Sequence, residues 1–553
     1  MHAPPRTVRP RILRAAAVSA ALALSACSAG PAGPAAAPPG EVKLTVMTPA
    51  ATSEVGTVTW NLPTGEPTTL DPAKAGDYSP STVQVNLCDS LLRLNADYSA
   101  GPGLATAWRS PDPKTLVLDL RKDVTFWNGN PMTAADVVAS LTRQRDPAVQ
   151  SVNAPVLDSV RDITATGPHQ VTVRFHRPDR LFTKFLVSGF GAISEAAYMK
   201  QAGSAYGTAR GGLMCTGPFK LSSWKPGQSI TAVRNDRYWD AALRPKAAAL
   251  TFTFITDANT LTSALLSGQV DGSYELPSTA AKALAGSGAG TVYHGPSTQT
   301  VFIGATGPDS PLADRRIVDA LSLVLDRQAI VRSVYDGAAE PLKTVIPPLV
   351  WQHGEASQVY ADAYRALPDV QKPDLAKARQ LVEQANPGRR TINVAMGAGD
   401  QQSLQILTLL QAGAKQIGLD VSIKQLQPTQ MSGLFYDPSL RQGLDATMVL
   451  GYVQVPDPVS YVPLLTTPGS MFNWTGYRNP KVSELLAQAQ GASDAADSAA
   501  RFAAAQAIYT RDLALLTVAG PYERVFVNKR ITGVPASFAY ISMPWAAHLG
   551  GTS

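Results

Sequence analysis

The chain has 553 residues, 45% of them hydrophobic and only 16% charged. That length predicts about three domains or one large two-lobed body, and that hydrophobic content excludes a disordered chain. The formal charge of +6 drops to +2 without Arg6, Arg9, Arg11 and Arg14, so the body lacks the basic footprint of a nucleic-acid binder.

Those four arginines precede an apolar run from Ala15 to Ala26. It is too short for about 30 Å of hydrocarbon but suits a signal-peptide core, so residues 1–26 read as a signal peptide. No later stretch has eighteen consecutive apolar residues, and no transmembrane helix is expected. The run ends in Leu24-Ser25-Ala26-Cys27, which resembles a bacterial lipobox. The resemblance implies that Cys27 carries a diacylglyceryl group and becomes the N-terminus, anchoring the protein to the membrane. The alternative is plain secretion with an incidental cysteine. The Pro/Ala/Gly-rich stretch after Cys27 cannot build a core, and residues 27–56 are assigned as anchor and tether.

Strand and helix signals alternate along the rest, as in an α/β or α+β body. Thr57–Asn61 is a strand candidate leading into a turn-rich loop. Leu116, Leu118 and Leu120 mark one half-buried strand, and Val171, Val173 and Phe175 another. Between them, Thr133 and Asp136 have the spacing of a capping box before the apolar run Val137 to Leu141. Leu375, Ala378, Val382 and Ala385 trace one helical face. Ile392, Val394 and Met396 predict a strand, Ser403 to Ile417 a helix stopped by Gly418, and Asp420 to Leu426 a second strand. That β-α-β order predicts a parallel pair.

Cys88 and Cys215 are the cysteines left after Cys27. In an exported protein they suggest a disulfide, with two buried thiols as the alternative. No histidine pair at i, i+4, HExxH, GxSxG or P-loop occurs, so no metal, cofactor or catalytic residue is assigned and no enzyme is expected. Gly286-Ser-Gly-Ala-Gly290 lacks dinucleotide-loop spacing and reads as a loop.

Several segments resemble, in order, the signatures of the family 5 extracytoplasmic solute-binding proteins. Thr69-Leu-Asp-Pro72 is similar to an early LDP turn. The stretch Thr115 to Val138, with Phe126-Trp-Asn-Gly129 inside it, resembles the family signature. Cys215-Thr-Gly-Pro-Phe-Lys220, Arg234-Asn-Asp-Arg-Tyr-Trp239, Ser267-Gly-Gln-Val-Asp271, Asp314 to Arg327 and Trp474 to Pro480 follow in the family's order. The resemblance implies an α/β fold of two lobes joined by a hinge: the type II periplasmic-binding-protein arrangement with an extra domain. Lobe I would take residues 57–77, 205–299 and 516–553, the extra domain 78–204, and lobe II 300–515.

The same resemblance implies the site. Tyr274 and Glu275 follow the SGQVD segment, on a strand that reaches the cleft; Tyr274 offers a ring and Glu275 a carboxylate for an amine, or the two are a packing pair. Thr300 and Phe302 lie on the next strand, where Phe302 could equally be core. Gly451 to Pro458 resembles the loop whose first acid holds a peptide's α-amino group in peptide-binding members. Here Gln454 stands at that place, Tyr452 keeps an aromatic wall, and Asp457 is either a substitute acid or structural. Tyr522 is a further candidate, while Trp127 and Trp239 read as structural. The expected function is capture of a peptide between closing lobes and delivery to an ABC permease, by a monomer tethered outside the cytoplasm. Gln454 motivates a non-peptide solute (oligosaccharide, metal chelate or small polar metabolite) as the alternative. A secreted hydrolase and a structural envelope protein are remoter ones.

Overall fold

The computed structural model describes residues 42–552, apart from residues 353 and 436. The expected signal peptide and the lipidation site Cys27 lie outside the described residues.

Three sheets organise the chain. A seven-stranded sheet runs in the order 290–295, 523–528, 272–273, 55–61, 247–253, 229–234 and 219–225. A six-stranded sheet runs 339–341, 515–521, 299–305, 446–452, 391–397 and 420–426. A four-stranded antiparallel sheet holds 105–112, 115–120, 170–175 and 160–167. Leu116, Leu118, Val171 and Val173 are buried on it, but Val117 and Thr172 between them are buried as well, so these strands are covered on both faces there rather than half-buried.

Local signals set several elements. The helix Ala134–Thr142 is closed at its start by Asp136, whose carboxylate accepts the Thr133 N–H at 2.9 Å. The helix Gln401–Gln416 begins two residues before its expected start, because Asp400 caps it by accepting the Ser403 N–H at 3.0 Å. Beyond its end Gly418 sits at φ +79°, a conformation that suits glycine. The flanking strands Thr391–Gly397 and Asp420–Leu426 pair in parallel, with Val394 opposite Ile423.

Apolar packing defines the lobes. The seven-stranded and four-stranded sheets share one core, in which Trp60, Phe252 and Trp545 pack in a continuous cluster with Leu118, Val137 and Phe190. Within that cluster Cys88 and Cys215 form a disulfide, their Cα atoms 4.9 Å apart. Trp127 and Trp239 brace the same region through indole N–H bonds to the Gly217 carbonyl and the Asp89 carboxylate. The six-stranded sheet is covered on both faces: Val301 and Ile303 pack with Leu321 and Leu410, while Phe302 and Val449 pack with Leu486 and Phe502.

Two expected boundaries move. Residues 44–56 are not tether: Thr45 and Thr48 donate backbone N–H bonds to His294 and Val534, and the first strand begins at Val55. Paired backbone groups tie this stretch to lobe I despite its unremarkable composition. The strand Leu515–Pro521 pairs with 299–305 and 339–341, so lobe II continues to Pro521 rather than ending at 515.

The chain passes between the two large sheets at 296–298 and returns at 522. On either side of these crossings the same two chain segments pair antiparallel, Gly295 opposite Glu523 and Val301 opposite Ala519. A two-stranded ribbon therefore links the lobes, a geometry in which few residues absorb a rotation.

Candidate functional site

The site forms where that ribbon meets the edges of both sheets. The segment Gly272–Ser273 runs beside the Trp60 strand, and an added Cβ on Gly272 would lie 2.2 Å from Trp60 Cζ3. Only glycine lets the indole lie flat on the backbone there. The chain then turns at Glu275, a non-glycine residue at φ +53°. Such a conformation costs about 1 kcal/mol or more, and side chains held in it cluster at functional sites. Here the turn is held by the Glu275 N–H donating to Glu523 Oε1 at 2.7 Å and the Leu276 N–H donating to the Arg524 carbonyl.

Tyr274 is fully buried and stacks on Tyr540, with centroids 3.7 Å apart and planes 2° from parallel. Trp60 and Trp545 close around it at 5.0 and 5.3 Å. The ring chain continues from Tyr540 to Phe538 and on to Tyr78 and Tyr452. Tyr452 comes from lobe II, and its ring meets Tyr78 of the opposite body at 5.1 Å. The hydroxyls of Tyr274 and Tyr540 are buried without a hydrogen-bond partner.

An acidic group lies against these rings. Burial, and then the neighbouring carboxylates of Glu523 and Asp77, hold the Glu275 carboxyl well above the usual range. Burial pushes Glu523 up to about 7. Glu275 Oε1 is 3.4 Å from the Gln299 amide nitrogen. Arg524 opposes these charges, but its Nε donates to the Leu276 carbonyl and one Nη to Gln402. Glu275 and Glu523 thus share one buried cation, an arrangement that a ligand ammonium would improve.

The lobes touch through several contacts. The Tyr452 hydroxyl donates to the Gly76 carbonyl at 3.0 Å, and the Tyr78 hydroxyl to the Leu450 carbonyl at 3.4 Å. Val455, from the loop after the Tyr452 strand, is buried in the core of lobe I. Arg180, from the domain of the four-stranded sheet, reaches into lobe II, 3.3 Å from Asp457 and 2.8 Å from Ser498 Oγ.

The sequence candidates separate accordingly. Tyr274, Glu275 and Tyr452 converge on the ring chain and the acids, and Gln454 is half-buried beside Val455. Asp457 is buried, caps Pro458–Ser460 by accepting the Val459 N–H, and is engaged by Arg180. That leaves no free carboxylate at the position that would replace Gln454. Thr300 and Phe302 lie within lobe II rather than with the rings. Phe302 belongs to the core beside Phe502, and Thr300 lies opposite Gly451 in the strand pairing. Tyr522 is half-buried in the ribbon, its N–H bonded to the Ala338 carbonyl. Sequence reasoning missed Tyr78, Phe538, Tyr540, Gln299 and Glu523. The Asp77-Tyr78 pair just after the LDP turn is a usable signal, and Glu523 directly follows the candidate Tyr522.

Comparison with known proteins sets this geometry in a family. Residues 99–473 match the family described as bacterial extracellular solute-binding proteins, family 5 Middle. This chain belongs to that family. Its members are substrate-binding receptors of ABC importers, working outside the cytoplasm, rather than enzymes. Among similar proteins is the glutathione-binding protein GsiB of Shigella boydii, 24% identical over 80% of this chain and 84% of that one. Two solved structures share the two-lobed fold. The PBP AgaA of A. tumefaciens R10 in complex with agropinic acid has a TM-score of 0.77 at 21% identity, covering 89% of this chain and 98% of that one. DppA of Helicobacter pylori in complex with the peptide STSA has a TM-score of 0.77 at 20% identity, covering 90% and 99%. No helix among the described residues is long and apolar enough to cross a membrane.

Proposed function

We propose that this receptor captures a peptide with a free amino group between its lobes and passes it to an ABC permease, while Cys27 anchors it to the membrane. The ring chain would form the wall, and Glu275 the anchor for the ammonium. The observation that carries this reading is the half-buried Glu275, held at positive φ against the Glu523 carboxylate with Arg524 as the one cation between them. An ammonium placed there would gain charge-assisted hydrogen bonds and relieve the repulsion among the acids. Backbone groups at the strand edges would hold an extended chain without reading its side chains.

The test is a thermal-shift screen with tri- to pentapeptides, each offered free and N-acetylated. Free peptides should stabilise the protein and the acetylated set should not. Glu275→Gln should weaken the free peptides about tenfold, the difference between a charged and a neutral hydrogen bond. Equal shifts from both sets would refute amine anchoring.

A second reading, a small non-peptide solute, draws on Gln454 and on the engagement of Asp457 by Arg180. Stabilisation by opine-like or sugar ligands with no response to any peptide would favour it.

A further inference from the structure

The strand Glu523–Asn528 has two faces. Glu523 and Val525 turn to the ring chain and the lobe I core, while Arg524 and Phe526 turn the other way. On that second face lies a cavity of about 600 Å³. Ser278, Lys282 and His294 line it from lobe I, Tyr335 and Asp336 line it from lobe II, and Arg524 lines it from the ribbon between them.

Arg524 is 7% exposed, and its Nη1 has no hydrogen-bond partner. Guanidinium donors buried this deeply are normally all engaged. Its Nε and other Nη are engaged, by Leu276 and Gln402, so the fork is fixed in place with one donor left over. The plane is further held beside the Tyr335 ring, 5.9 Å from its centroid. Lys282 is exposed on the wall and free to swing its ammonium into the opening. His294 lies opposite Arg524 in the strand pairing and adds a ring nitrogen. Asp336 is the one acid among the lining residues. Arginine offering a fixed donor beside a mobile lysine is the arrangement that binds phosphate or carboxylate oxygens.

We propose that this cavity behind the hinge ribbon is a second binding site, for a small oxyanion held by Arg524, Lys282 and His294. It lies on the opposite side of the strand from the peptide cleft. Because both lobes supply its walls, the bound anion favours the arrangement in which Tyr335 and Asp336 lie close to Lys282. The ligand chemistry is a phosphate or carboxylate group on a molecule small enough for the cavity, and the two are separated by experiment.

The full chain, purified without phosphate or polycarboxylates, is titrated calorimetrically with inorganic phosphate and separately with succinate, at constant ionic strength held with chloride. One of the two should bind saturably with one site per chain. Lys282→Gln should weaken it at least tenfold, and so should Arg524→Gln. Lys200→Gln, at an exposed lysine of the helix Ala196–Ala202 outside the cavity, should leave it within twofold. Lys282 is exposed, so its variant keeps the test valid even if Arg524→Gln fails to fold. The proposal is overturned if neither anion binds saturably, if Lys282→Gln binds as the parent does, or if Lys200→Gln weakens the binding as much as Lys282→Gln does.

Discussion

Arg180→Ala tests whether the contact between the four-stranded domain and lobe II acts in closure. Arg180 lies 3.3 Å from Asp457 and donates to Ser498 Oγ at 2.8 Å. The Asp457 side chain is 6% exposed and that of Arg180 20%. Removing one partner of a fully buried pair costs about 3–5 kcal/mol. Here the cation is partly wet and the charged contact is single and long. Asp457 also keeps its bond from the Val459 N–H, and its carboxyl is already raised by burial, so it can take up a proton. These features reduce the cost to about 2 kcal/mol. If the contact exists only in the closed form, that energy is taken from closure. Affinity for a peptide retained on gentle purification should then fall by up to about 30-fold, since 1.4 kcal/mol is tenfold. Small-angle scattering of the ligand-free variant should show a larger radius of gyration. Adding Asp457→Asn should restore part of the affinity by removing the uncompensated charge. Unchanged affinity with a lowered melting temperature would refute the reasoning, because the contact would then persist in open and closed forms alike.

The other predictions concern stability. Glu523 keeps its proton up to about pH 7 when folded, whereas the unfolded carboxyl releases it near the ordinary value of 4.5. The native state therefore binds more protons between those pH values, and stability should fall as pH rises through them, by on the order of 3 kcal/mol. Glu523→Gln, which can still accept the Glu275 N–H, should shrink that slope in urea melts at pH 5 and pH 8; an unchanged slope would rule out the assignment. Replacing Cys88 and Cys215 by alanine removes a cross-link spanning 127 residues and should cost up to about 5 kcal/mol in the chain-entropy model, read as a lower denaturant midpoint. Gly272→Ala drives a methyl into Trp60 and should cost about 1–3 kcal/mol, with a changed near-ultraviolet dichroism from the Trp60–Tyr274–Trp545 cluster. Wild-type spectra and stability in that variant would show that the close approach is not needed.

What could be read from the chain alone were features encoded over a few neighbouring residues. The Thr133–Asp136 cap and the β-α-β pattern from Ile392 to Leu426 follow from a local hydrogen bond or side-chain period and appear in the structure, and the strand at Leu116–Leu120 forms too, although Val117 between its leucines is buried as well. The family resemblance likewise rested on contiguous segments. The site was legible only in part, because its members come from distant segments that only folding unites. Glu275, Gln299 and Glu523 cluster because the ribbon brings strand ends together, and Asp77 joins them from the start of the helix Tyr78–Gln84. The raised carboxyls follow from burial and mutual charge, which no linear spacing records. Asp457 appears as an available acid in the sequence, but Arg180, 277 residues away, occupies it. Tyr522 and Glu523 are neighbours in the chain, and strand pleating alone decides which of them meets the acids. The cavity at Arg524 likewise exists only because the next residue along the strand turns to the opposite face.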